Sequence, residues 1–491
     1  MSRSLFSILQ QKFGPKDGGY SRREMLKLSL AAGAGMLLSH GRSRADEQDA
    51  PRIAVIGAGF AGLTVAHELA SAGYRVNVIE ARKRVGGRVL SFADFVKGRN
   101  VEGGAELIGS NHPTWVAYAE KFKLELIDVT DDESAEAPIV LGGQRLDEQV
   151  AEALWEEMDE VLARMNAAAA KVDAFQPWKS GDAKKLDLRP TAAWIADQDC
   201  SVLCKTAITA QLTSDNGTLT AWQSYLGNLA QIKGGGVEKY WTESEVLRCK
   251  DGNQRLAREL AEAVGAGHLT LEKPVKSVRV EEKRCLITLA DGVKIEADDV
   301  VLAVPPSVWN KIAFDPPLPG ILRPQMGSNV KYLAAVKGRF WESAKLSQYS
   351  LTDGPVSMTW DATDNQKEGV ADACLTSFSG GPAAETCRQW SKEERDEKYL
   401  KELEKLYPEL RKNFIQGRFM DWPAEPWTAS SYSFPAPGQI TALGKTLFEG
   451  IGRLHFAGEH ACPAFVGYME GALNSGAALA RRLAQRDGRT R

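Results

Sequence analysis

The stretch Arg52-Ile-Ala-Val-Ile56-Gly57-Ala-Gly59-Phe-Ala-Gly62, continued by Gly73 and by Arg75-Val-Asn-Val-Ile79-Glu80, decides the fold. Arg52 to Ile56 is a short, nearly unbroken apolar run, the composition of a parallel strand buried on both faces. A glycine-rich turn and a helical pattern through Ala72 follow, Gly73 stands where that helix must end, and a second strand runs to Ile79. This is a complete βαβ unit. Glu80 closes it 21 residues after Gly59, the spacing of a dinucleotide-binding unit. Each residue type has a task there. Gly57 permits the tight turn, Gly59 lets a pyrophosphate approach the backbone at the helix N-terminus, Gly62 allows close helix packing, and the Glu80 carboxylate can accept ribose hydroxyls.

Upstream of this unit, residues 1–45 carry eight Lys or Arg against only Asp17 and Glu24, although the whole chain of 491 residues has a formal net charge of −3. The rest is therefore acidic, which gives nucleic acid no electrostatic footing. Ser21-Arg22-Arg23-Glu24-Met25-Leu26-Lys27 precedes an apolar run from Leu28 to Ser39, and Ser43-Arg44-Ala45 supplies small residues at a cleavage site after Ala45. The pattern looks like a twin-arginine export signal, which implies passage through the twin-arginine translocase to the periplasm or exterior. The run is too short to span a bilayer, which takes about 20 residues. Such export implies a protein folded around its cofactor beforehand. The seven cysteines are odd in number and lack paired Cys-x-x-Cys spacing, so they indicate neither a disulfide scaffold nor a metal site.

Downstream, residues from about 141 to 234 turn rich in Ala, Glu, Trp and Leu at helical spacing, a helical insertion. Strand-like runs follow at Leu269–Leu271, Val275–Val280, Cys285–Leu289 and Asp299–Val304, with a hairpin signal at Asp291-Gly292. A charged helix is expected over Glu393 to Leu406, a strand at Arg453–Ala457 and a closing helix over Gly467 to Arg482. The fold class is α/β, with two interleaved modules: a Rossmann-type domain from 51–130, 235–320 and 441–487, and an α+β substrate domain from 131–234 and 321–440.

Further motifs define a family. Glu80-Ala-Arg82-Lys-Arg84-Val-Gly86-Gly87-Arg88 places a guanidinium within reach of a pyrophosphate. Phe456-Ala-Gly458-Glu459-His460 and Gly467-Tyr468-Met-Glu470-Gly471-Ala472 lead into the closing helix. Together with the opening unit these resemble the flavin amine oxidase superfamily of monoamine, polyamine and L-amino acid oxidases and, more distantly, phytoene-desaturase-like enzymes. The resemblance spans most of the chain and is weakest in the helical insertion. It implies a two-domain flavin amine oxidase-like fold and FAD, with cofactor contacts at Gly57, Gly59, Ala61, Gly62, Glu80, Arg82, Gly87, Arg88, Gly103, Gly104, Ala105, Glu106, Val275, Glu459, Gly467, Tyr468, Met469 and Ala472. Ser431 stands where monoamine oxidases attach flavin to cysteine, which implies non-covalent FAD. Many relatives are homodimers.

The resemblance also assigns catalytic and substrate roles. Lys331, in Gly327-Ser-Asn-Val-Lys331-Tyr, matches the lysine that holds a water against flavin N5, and it is costly to bury without a partner. Its bland alternative is a snorkelling edge-strand lysine. Tyr432 and Tyr468 match the two rings that flank the amine, with Gly467 beside them. Glu106, in Val101-Glu-Gly103-Gly104-Ala-Glu106, stands where venom-type L-amino acid oxidases place a carboxylate-binding arginine, and Phe378 stands near a tyrosine with the same task. Either another cation, Arg248 or Arg145, takes a substrate carboxylate while Glu106 meets a cationic side chain, or the substrate is a mono- or polyamine drawn to Glu106. The resemblance favours oxidative deamination of an L-amino acid: the amine loses a hydride equivalent, the imine hydrolyses to a 2-oxo acid and ammonium, and O₂ leaves as H₂O₂. His460 is read as a residue of the flavin shell. A non-catalytic FAD protein is the contrasting class.

Overall fold

The computed structural model describes residues 4–14, 22–35, 37, 50–130, 135–366 and 371–489. Five parallel strands form one sheet, ordered Leu269–Thr270, Arg75–Ile79, Arg52–Ile56, Asp299–Leu302, Leu454–Phe456. The central strand explains its own composition. Ile53 and Val55 enter the core beneath the helix Phe60–Ser71 and the closing helix Met469–Arg486. Ala54 and Ile56 enter a second core, under a meander of Val275–Val280, Cys285–Leu289 and Lys294–Ala297. The strand order reverses on either side of Arg52–Ile56, so a crevice opens at the carboxyl ends of this strand and of Asp299–Leu302, at Gly57 and Ala303.

The second module is a seven-stranded sheet: Phe414–Asp421, Asn329–Val336, Ala373–Gly380, Met358–Asp361, Ser350–Thr352, Ile139–Leu141 and Gln144–Arg145. Asn329–Val336 is buried along its whole length between two antiparallel neighbours. Lys331 is thus on an inner strand, opposite Phe378 and Met420, rather than on an edge. Helices Glu148–Ala169, Val202–Asn216 and Tyr225–Gly234 pack over this module around Leu154, Met158, Leu212 and Leu229. The charged helix begins at Lys392, where Ser391 and Glu394 cap each other reciprocally, and ends at Glu404.

Part of the N-terminal segment packs against the rest of the chain. Residues Leu5–Phe13 form a helix whose apolar face, Leu5, Phe6 and Leu9, is buried in the core of the helical lobe. Ser4 Oγ donates to the Trp241 carbonyl (3.0 Å), and Gln211 Oε1 accepts from the Leu5 N–H (2.6 Å). The apolar spacing in Leu-Phe-Ser-Ile-Leu is what makes this docking favourable. A second helix, Arg22–Ala34, carries the paired arginines and lies against Pro113–Phe122 so closely that a Cβ on Gly33 would stand 1.9 Å from the Pro113 carbonyl oxygen. The cleavage site expected at 43–45 lies outside the described residues. Among the described residues no helix is long and apolar enough to cross a membrane.

Candidate active site

From the crevice an elongated cavity, partly open to solvent, runs from Glu80 and Val275 past Gly59, Arg88 and Glu459 to Lys331, Tyr432 and Tyr468. Its first half is built of backbone. Gly57 has φ +107°, and a Cβ there would lie 2.9 Å from Val304 Cγ1; a Cβ on Gly62 would lie 1.9 Å from the Gly57 carbonyl oxygen. The helix Phe60–Ser71 has Gly59 at its N-cap and no capping side chain, and the closing helix begins after Tyr468, again without a side-chain cap. Two helix N-termini thus present N–H groups and partial positive charge to one cavity. These features fit a bound FAD.

Side chains join the two motifs that border this cradle. Glu80, buried, accepts from the Ala58 and Arg82 N–H groups at 2.8 and 2.9 Å. Arg82 pairs with Glu425 and donates to Thr428 Oγ1 (2.7 Å). Arg88 donates through Nη1 to the Ser431 carbonyl (2.7 Å) and to Glu459 Oε1 (2.9 Å), across 371 residues of sequence. Glu459 also accepts from Ser433 Oγ (2.6 Å) and the Gly467 N–H (3.0 Å). Burial works to raise its pKa, but the Arg88 charge and the donated hydrogen bonds outweigh this and hold it below the usual carboxylate range. Next to it, His460 is buried with both ring nitrogens unpartnered, and burial pushes its pKa down to about 4. It is a neutral imidazole at the cavity wall.

At the far end four charges form a buried chain. Lys331 Nζ donates to Glu106 Oε2 (2.7 Å) and to the Glu102 carbonyl (3.3 Å), and it lies 5.1 Å from the Trp360 ring centroid. Glu106 Oε1 accepts from Arg248 Nη2 (2.8 Å), and Arg248 Nη1 engages Asp364. Burial would raise the Glu106 pKa, yet Lys331 and Arg248 together keep it below the usual range. Lys331 has three N–H donors and spends two, leaving one for the cavity it lines.

Aromatic rings complete this end. Tyr432 donates its hydroxyl to the Asp215 carbonyl (2.7 Å), and a Cβ on Gly467, whose φ is +81°, would lie 3.1 Å from the Tyr432 ring. Only glycine combines that backbone with that approach. Tyr468 packs edge-on against His112 at 5.3 Å, and Phe378 tilts against Trp360 at 5.7 Å. Burial pushes His112 down to about 3, so it too stays neutral.

The family model for flavin-containing amine oxidoreductases matches residues 60–484. The chain belongs to this family. Within it, the chain is 26% identical to amine oxidase [flavin-containing] B of Homo sapiens, over 88% of this chain and 85% of that one. It is 23% identical to an L-amino acid dehydrogenase of Synechocystis over 87% and 94%, and 25% identical to a putrescine oxidase of Kocuria rosea over 89% and 95%. A cyclohexylamine oxidase structure from Brevibacterium oxydans superposes with a TM-score of 0.81 at 24% identity, covering 89% of this chain and 100% of that one. FAD is the cofactor of this amine oxidoreductase, and the two interleaved modules are those of its family.

Against that frame of residues, the oxidoreductase cavity gathers nearly every site position expected from sequence. Gly57, Gly59, Ala61, Glu80, Arg82, Gly87, Arg88, Gly104, Ala105, Glu106, Val275, Lys331, Phe378, Tyr432, Glu459, Gly467, Tyr468, Met469 and Ala472 all line it. Gly62 and Gly103 do not. Gly62 packs on Gly57, and Gly103 lies under the Phe92 ring, its carbonyl accepting from Trp422 Nε1 at 2.9 Å. Glu106, expected at the substrate, has both oxygens engaged by the chain's own cations. Arg248 is committed to Glu106 and Asp364, and Arg145 sits on a hairpin beside Glu136, away from the cavity. Sequence reasoning missed Lys311 and Trp427, stacked at 5.2 Å on the cavity wall, and the Val304-Pro305 edge. The Pro305-Pro306 pair after a buried strand was a readable sign of that edge.

Proposed function

We propose that this oxidoreductase oxidises amines without an α-carboxylate to aldehydes, with O₂ as acceptor and non-covalently held FAD. One observation carries this reading: every cation lining the cavity among the described residues is already engaged. Arg82 meets Glu425, Arg88 meets Glu459, Lys273 meets Asp291, Lys311 meets the Pro426 carbonyl, and Lys331 meets Glu106. The two guanidiniums that line the cavity among the described residues, Arg82 and Arg88, already meet carboxylates of the chain itself. The substrate end instead offers Phe378, Tyr432 and Tyr468, surfaces suited to a slim amine. The L-amino acid reading that the family resemblance favours is the alternative to it.

Bound FAD would accept the hydride equivalent that leaves the amine's α-carbon. The protein's own part is positional. Two uncapped helix N-termini, Glu80, Arg88 and Glu459 hold the cofactor, the two tyrosines orient the amine, and Lys331, fixed by Glu106, holds a water or oxygen species with its remaining N–H. No side-chain base is required when the amine arrives neutral. Ser431 supports non-covalent attachment: it has no thiol, and its hydroxyl donates to Asn329 Oδ1 at 2.6 Å. The paired arginines and apolar run of the leader support export by the twin-arginine route.

The test is anaerobic mixing of the purified holoenzyme with a panel of amines and L-amino acids while the oxidised flavin band is followed. Bleaching by amines alone is expected. Bleaching by L-amino acids in preference to their decarboxylated counterparts would overturn the reading.

A further inference from the structure

We propose that Cys200 and Cys204 are a peroxide-reactive thiol pair that closes to a disulfide, with Cys200 as the attacking sulfur and Cys204 as the resolving one. H₂O₂ is supplied by the oxidase reaction proposed above, a reading on which the pair depends only for its oxidant. All seven cysteines are free thiols; six are buried and Cys200 is half-buried, so Cys200 is the one that a small solute reaches. It directly precedes Ser201, the N-cap of the helix Val202–Asn216, whose hydroxyl accepts from the Cys204 N–H at 3.0 Å. A residue in front of an N-cap lies over the first turn of its helix, the arrangement of a hydrophobic staple, and this brings Cys200 back onto the turn that carries Cys204. Both side chains border one apolar core, Cys204 inside it and Cys200 packed against it, and the two thiols interact directly.

Burial divides the chemistry between the two sulfurs. It pushes the Cys204 thiol far up, helped by the adjacent Cys200, so Cys204 stays protonated and inert toward oxidants in solvent. The Cys200 sulfur, as thiolate, attacks one oxygen of H₂O₂: an S–O bond forms, the O–O bond breaks, and hydroxide leaves and takes up a proton as water. Cys204 then attacks the sulfenic sulfur: the S–S bond forms, the S–O bond breaks, and a second water carries off the Cys204 proton. The sulfurs lose two electrons and the peroxide gains them. The bond fastens the first turn of a helix whose last turn holds the substrate end, where the Ser214 carbonyl accepts from Asn329 Nδ2 (2.9 Å) and the Asp215 carbonyl from the Tyr432 hydroxyl (2.7 Å).

The experiment treats the full-length holoenzyme with stoichiometric H₂O₂, blocks the free thiols under denaturing conditions and maps the peptides by mass spectrometry. One bond, Cys200 to Cys204, should form at the expense of two of the seven thiols, and dithiothreitol should restore them. Cys204→Ser should stop at a sulfenic acid on Cys200 that dimedone traps, and Cys200→Ser should keep all its remaining thiols. Seven intact thiols, a different pairing, or sulfinic acid on Cys200 with Cys204 untouched would overturn the pair in the unsubstituted enzyme, whether or not the variants fold. A second arm replaces added peroxide with aerobic turnover of an amine that bleaches the flavin, and the same bond should appear. A bond formed by added peroxide but not by turnover sinks O₂ as the acceptor and leaves the pair standing, whereas no bond under either condition sinks the pair and leaves the oxidase reading standing.

Discussion

The cofactor cradle and the substrate end are walls of one cavity built on opposite principles. The cradle is mostly backbone: glycines whose missing Cβ admits a neighbour, and helix ends whose N–H groups are left open. Its residues cluster in three short motifs. The substrate end is made of side chains whose partners are distant in sequence, such as Glu106 with Lys331 and Arg248, and Tyr432 with the Asp215 carbonyl. The cradle tolerates little change but carries little specificity, while the substrate end sets specificity through pairings that can be retuned one at a time.

The contrast can be tested from its strongest consequence downward. Gly62→Val should remove the cofactor altogether, because its side chain would occupy the Gly57 carbonyl; flavin absorbance after desalting is the measure, and a flavin-loaded variant would refute a backbone-built cradle. Arg248→Met strands Asp364 and half of Glu106, and breaking a buried pair costs about 3–5 kcal/mol, so denaturant unfolding should show a loss of that order. Lys331→Met leaves Glu106 its Arg248 partner, so the protein should keep its flavin yet consume O₂ at least about tenfold more slowly, a change of about 1.4 kcal/mol in the barrier. Unchanged oxygen consumption would remove Lys331 from the chemistry.

The smallest effect is one of pH. His460 stays neutral in the fold down to about pH 4, whereas an unfolded histidine takes up a proton below about 6.5. Proton uptake by the unfolded chain favours unfolding, so this residue makes stability fall as pH drops from 6.5 to 4, by up to about 1.4 kcal/mol per pH unit. Melting curves of His460→Asn against the parent should show a shallower slope across that window; parallel slopes would mean the imidazole is charged in the fold.

Sequence legibility follows the same division. The opening βαβ unit, the interleaving and most cavity-lining residues were readable because each depends on local pattern: a buried run, a glycine at a fixed offset, an acid 21 residues on. What could not be read was how charges pair. Glu106 and Arg248 are 142 residues apart, and nothing local says that they satisfy each other instead of a substrate. Lys331 was singled out for the cost of burying it, and the structure supplies the partner that cost demanded.

The helix Leu5–Phe13 is as much a part of the core as the strands are: Leu5, Phe6 and Leu9 fill sockets in the helical lobe. Removal of residues 1–45 would therefore take away part of the enzyme's own architecture. A chain without that helix would bare an apolar seat in the helical lobe where Leu5, Phe6 and Leu9 had rested, a surface that invites self-association.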